Sequence, residues 1–198
     1  VNRYTDKIPH INVRVFNEQF INQNITWDDH NQTFCLKEEI DLDLFNEKLQ
    51  VFLGCRDVAL YYDHFDCRYW IGDATSLTKA NLKRHPLDVI NKTAIAFVYF
   101  TVRLRRQESI EHSVIVIDDL VNSRFLTNVF AAFLFVKDEY NRAAQLFIFT
   151  DYPLFYKLIL IWFRKEAGLS HLFMNLELYH EKILQVPELS PSVTRGRD

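Results

Sequence analysis

The run Val114–Ile117 (VIVI), followed directly by Asp118 and Asp119, constrains the fold of this 198-residue chain more than any other segment. Four branched apolar residues in succession leave no side for water, so the segment reads as a strand buried on both faces. A similar run, Leu146–Thr150, leads into Asp151. Between and after these runs the apolar spacing is helical. The expected order is strand Ser113–Asp118, helix Arg124–Glu139, strand Ala144–Thr150, helix Pro153–Glu166 and strand His171–Glu177. Strands alternating with helices predict an α/β fold with a mostly parallel sheet flanked by helices.

The first half of the chain reads differently. Ile11–Phe16 alternates apolar and polar residues like a half-buried strand, and Asn17–Asn24 suits a short helix. Thr26–Asn31 is polar and turn-like, and Thr33–Leu36 reads as a second short strand. Leu42, Phe45, Leu49 and Phe52 recur at helical spacing, which predicts a helix over Leu42–Leu53 with Gly54 at its C-terminal cap. Val58–Tyr62 and Cys67–Ile71 predict an antiparallel pair around Asp63–Asp66, followed by a polar connection from Gly72 to His85. Asp88 is the expected N-cap of a long helix, Val89–Gln107, whose Ala94 and Ala96 let it lie close to a sheet. The N-terminal portion is therefore expected to be β-rich, and Pro187–Asp198 to be a loose tail.

With 48% hydrophobic and 25% charged residues the chain is long and apolar enough for one good core. A net charge of −3 supplies no global attraction to nucleic acid. The local basic clusters Arg103, Arg105, Arg106 and Lys83, Arg84, His85 read as solvated ends of helices and loops. Three cysteines (Cys35, Cys55, Cys67) without a Cys-x-x-Cys pair point to reduced thiols and a cytoplasmic protein. Apolar runs such as Leu158–Phe163 are too short to span a bilayer. A start at Val1 suggests a processed or trimmed piece.

In a parallel α/β sheet, ligands meet the C-terminal ends of the strands. Asp118 and Asp119 end one strand there and Asp151 ends the next, so neighbouring strands would bring three carboxylates to one edge. Hard cations take carboxylate oxygens, which makes Mg²⁺ or Mn²⁺ the fitting cofactor; the plain alternative is that these acids cap helices in solvent. His64 and Cys67, beside Asp63 and Asp66, resemble half of a zinc site that has no second half, so a hairpin turn is expected. Only four glycines occur, and no Gly-x-x-x-x-Gly-Lys-Ser/Thr loop exists to cradle phosphates.

Several segments together resemble one family. LDVINKTAIAF (87–97) is similar to the signature segment L-S-x-G-E-K-T-A-I-A-F of ABC-type ATPase heads, in the coiled-coil-bearing branch that includes RloC- and PrrC-like anticodon nucleases. VIVIDDLVNSRF resembles that branch's Walker B strand and D-loop, and LFIFTDYPLFYKL resembles its H-loop strand. HINVRVFNEQFINQNI looks like the strand and helix after the P-loop, and LDLFNEKLQVFLG like the segment that resumes after the coiled-coil arms. The matches follow the family's order over most of residues 10–185. The resemblance implies a P-loop-NTPase-related single domain over 1–186, with an N-lobe remnant (10–40) and a C-lobe (41–186).

The departures fall on the chemistry. The P-loop is absent, and the arms are reduced to a short link near Lys37–Asp41. Asp88, Ile90 and Asn91 stand where the family has Ser, Gly and Glu, at a helix N-terminus that grips a γ-phosphate. Leu120 replaces the D-loop Pro, and Arg124 and Phe125 replace its Leu-Asp pair; Asp151 replaces the H-loop histidine, a donor exchanged for an anion. The resemblance therefore implies a catalytically degenerate protein that binds no nucleotide cofactor and works through contact with another protein. That partner is a second copy, a complete ATPase of the same family or an effector, in bacteriophage defence or counter-defence. The implied contact surface is Asp88, Ile90, Asn91, Lys92, Asn122, Arg124 and Phe125. Two alternatives stay open: a divalent-metal-dependent phosphoesterase or nuclease using Asp118, Asp119 and Asp151, and a split ATPase with the P-loop on another chain.

Overall fold

Two sheets share one central helix in the computed structural model, which describes residues 12–75, 83–107, 110–118, 120 and 129–165. The first half contains β1 (Asn12–Phe16), α1 (Glu18–Asn24), β2 (Ile25–Asp28), β3 (Thr33–Leu36), α2 (Leu42–Leu53), β4 (Val58–Asp63) and β5 (Arg68–Asp73). The second contains α3 (Val89–Gln107), β6 (Ser113–Asp118), α4 (Val129–Tyr140), β7 (Gln145–Phe149) and α5 (Pro153–Lys165). Strands β1, β6 and β7 form a parallel sheet in that order. The other sheet is antiparallel, ordered β2-β3-β5-β4. The molecule is thus α/β, with its antiparallel sheet drawn wholly from the first half of the chain. The expected strand 171–177, residues 124–128 of the expected helix and the tail 187–198 lie outside the described residues.

Local chemistry sets the element ends. The Asn17 side chain accepts the Phe20 N–H at 2.9 Å and starts α1. Asp41 does the same for α2, taking the N–H groups of Asp43 and Leu44 at 3.1 Å each. That helix stops at Gly54, whose φ of 65° is the left-handed cap conformation. The turn-like reading of Thr26–Asn31 is corrected: Ile25–Asp28 is a strand, and the turn is confined to the residues between Asp28 and Thr33. Two apolar residues on one side suffice for pairing here, since Ile25 is buried and Trp27 lays its ring 5.1 Å from Phe34.

Helix α3 carries apolar groups all round and is accordingly internal: every residue from Ala94 to Val102 is buried. Phe97 meets Phe16 of β1 at 4.9 Å, Phe52 of α2 at 5.4 Å and Phe135 of α4 at 5.8 Å between ring centroids. The Thr101 and Tyr140 hydroxyls share a buried hydrogen bond of 2.6 Å, and burial pushes the Tyr140 phenol far above its ordinary range.

The basic cluster at the end of α3 is partly solvated, as expected, with Arg105 and Arg106 exposed, and it also has partners within the chain. Arg103 pairs with Glu38 and Asn24, Arg106 donates to the Glu39 carbonyl at 2.7 Å, and Arg105 reaches Glu139 at 2.6 Å. Glu139, with 5% of its side chain exposed, also takes Lys48 of α2 at 3.1 Å. Two cations therefore hold one buried carboxylate and tie α2, α3 and α4 together. Among the described residues, no helix is long and apolar enough to cross a membrane.

Candidate functional site

Pairing of β6 with β7 meets the condition for their C-terminal acids to share an edge. Asp118 sits opposite Phe149, and Asp151 follows two residues beyond that row. Both carboxylates are exposed. Asp119, the third acid expected here, lies outside the described residues. Among the described residues no three His, Cys, Asp or Glu side chains come close enough to hold a metal ion together. Asp118 and Asp151 could each offer oxygens to Mg²⁺, but two exposed acids supply few of the roughly six oxygens that such an ion takes.

Alternation along the three parallel strands sorts their side chains onto two faces. The inner face presents Phe16, Ile115 and Ile117, all buried, with the half-buried Leu146 and Ile148. The outer face presents Val13, Val15, Val114, Val116, Phe147 and Phe149, and register places Asp118 on that same face. Phe147 is 48% exposed, Phe149 44% and Val13 57%. Sequence reading missed this surface. The runs VIVI and LFIF show that both faces are apolar, not which one the chain covers.

The start of α3 is built from the residues that the resemblance singled out. Asp88 accepts the Asn91 N–H at 2.8 Å, which makes it the expected N-cap. The Asn91 side-chain amide turns back to donate to the Pro86 carbonyl at 2.8 Å. Lys92 is drawn to Asp29 at 2.5 Å and lies 5.5 Å above the Trp27 ring. Gln32, in the β2–β3 turn, accepts the Leu87 N–H at 2.6 Å. The positive end of the helix is thus compensated by its own carboxylate, and its nearest lysine by another. Ile90 is half-buried. Asn122, Arg124 and Phe125 lie outside the described residues. Asp29 and Trp27 are site-shaping residues that sequence reading overlooked; the tripeptide Trp27-Asp28-Asp29 was the available signal.

His64 and Cys67 fall in the β4–β5 hairpin turn, as expected, where the Cys67 thiol faces the His64 carbonyl at 3.8 Å. Comparison of the chain with protein-family models, with curated proteins and with solved structures gave no match.

Proposed function

We propose that this protein is a catalytically degenerate relative of ABC-type ATPase heads that acts by contact with another protein. The observation that carries the reading is the self-closed start of α3. An anion approaching that helix end meets the Asp88 carboxylate already on the Asn91 N–H, and Lys92 already bound to Asp29. Asp151 adds a second negative charge where the resemblance leads one to expect a histidine. Contact through Asp88–Lys92 is the natural use of a surface that keeps its shape and loses its affinity for phosphate. The resemblance sets that contact in bacteriophage defence or counter-defence. The test is isothermal calorimetry with Mg²⁺-ATP on the full chain, with no heat of binding expected up to millimolar nucleotide. Micromolar affinity would overturn the reading.

The adjacency of β6 and β7 favours one second reading, a divalent-metal phosphoesterase using Asp118, Asp119 and Asp151. Mn²⁺-dependent cleavage of a phosphodiester that disappears in Asp118→Asn would select it.

A further inference from the structure

The outer face of the parallel sheet lies apart from the start of α3, and its use does not depend on whether the chain hydrolyses nucleotide. Parallel sheets are normally layered on both sides, because strands apolar on both faces must bury both. Here Phe16, Ile115 and Ile117 of the inner face are buried, with Leu146 and Ile148 half-buried, while on the outer face Val13, Val15, Phe147 and Phe149 are exposed and Val114 and Val116 half-buried. The uncovered strip has a definite shape. Three strands about 4.8 Å apart place its outer rows about 10 Å from each other, and five residues run about 17 Å. An α-helix is about 10–12 Å across and covers 17 Å in roughly three turns. The same strip is far smaller than the roughly 800 Å² that each partner of a stable dimer buries, so a second copy is a poor fit.

Charge gives the direction. Asp118 lies on this face at the C-terminal end of β6, and Asp151 is exposed just past the end of β7. Among the described residues, the strand positions aligned at the other end, Val13, Val114 and Gln145, carry no carboxylate, and Glu111, two residues before β6, is paired with Arg142. A helix laid antiparallel to the strands would bring its positive N-terminal end, and any lysine in its first turn, to these acids. We infer that the open face of the parallel sheet seats an amphipathic helix of a partner polypeptide, antiparallel to the strands, with a basic first turn at Asp118 and Asp151.

The probe is a synthetic 18-residue helix with a leucine stripe at i, i+4, i+7 and i+11 and two lysines in its first turn. Binding to the full chain is read by fluorescence anisotropy. Two control peptides carry the lysines in the last turn or scramble the stripe. The expected result is micromolar binding, at least tenfold weaker for the scrambled peptide. Phe147→Asp and Phe149→Asp should each weaken it tenfold or more with unchanged circular dichroism. Asp118→Asn and the lysine-shifted peptide should each weaken it about threefold. Equal binding of the scrambled peptide, or no binding, overturns the inference. So does a dimer by sedimentation that Phe147→Asp dissolves, which would give the face to a second copy. Maleimide labelling of Phe147→Cys in the monomer, located by peptide mass mapping, must be fast; protection would mean that the chain covers the face itself. None of these outcomes alters the calorimetric test with Mg²⁺-ATP.

Discussion

The two sheets finish their outer surfaces in opposite ways. On the antiparallel sheet, Trp70 stacks on Tyr61 at 4.7 Å, and Arg84 lies 5.1 Å above the Trp70 ring. Arg68 reaches across to Asp28 at 2.6 Å and Thr33 at 3.2 Å. Hydrogen bonds from Asn31, helped by the Arg68 guanidinium, hold the Asp28 carboxyl below the usual carboxylate range. The outer face of the parallel sheet carries aliphatic and phenyl groups instead, with one carboxylate at its end. Among the described residues, stacked rings and ion pairs dress one sheet, while the apolar side chains on the outer face of the other stay exposed or half-buried. The dressed sheet satisfies its outer groups within the chain, and the other keeps apolar surface for the helix inferred above.

This contrast can be broken first at Phe16, on the inner face of the parallel sheet and 1% exposed. Phe16→Ala should cost about 3–5 kcal/mol in urea denaturation, because the ring packs on Phe97, Phe100 and Phe20. Gly72 comes next. A Cβ there would stand 2.5 Å from the Trp70 ring and 2.9 Å from the Lys83 carbonyl, so the dressing itself has to move. Gly72→Ala should therefore destabilise by about 1–3 kcal/mol. Arg84→Ala removes one cation–π partner and should cost about 0.5–1 kcal/mol by the same measurement. The smallest effect belongs to the bare face: Val15→Thr should shift stability by no more than about 0.5 kcal/mol. A loss of about 2 kcal/mol at Val15 would mean that the face is covered after all.

The parts legible from sequence are those whose signal is local. The apolar runs at 114–117 and 146–149, the spacing of Leu42, Phe45, Leu49 and Phe52, and the caps Gly54 and Asp88 each act within a few residues. What stayed hidden depends on distant partners. Arg103 and Arg106 show no partner in the sequence, because Glu38 and Glu39, more than sixty residues earlier, come beside them only in the fold. Ile25–Asp28 becomes a strand only because β3 is there to pair with it. The acid edge was half legible: the strand ends were visible, while the adjacency of β6 and β7 was a conditional that pairing resolved. The bare face was the least legible feature, since an apolar side chain carries no mark of whether anything lies over it.

The all-round burial of α3 has a consequence for how the chain is made. Its aromatic partners come from both directions, Phe16 and Phe52 before it and Phe135 and Tyr140 after it. On a ribosome, the helix ending at Gln107 must wait for the 33 residues that reach Tyr140. At about 5–20 residues per second, that wait is roughly 2–7 s. Throughout it, the stretch Ala94–Val102, which ends up buried on every side, is only partly wrapped. Synthesis of this protein passes through an interval in which its innermost element is its stickiest surface, and a chaperone that recognises apolar helices would find it then.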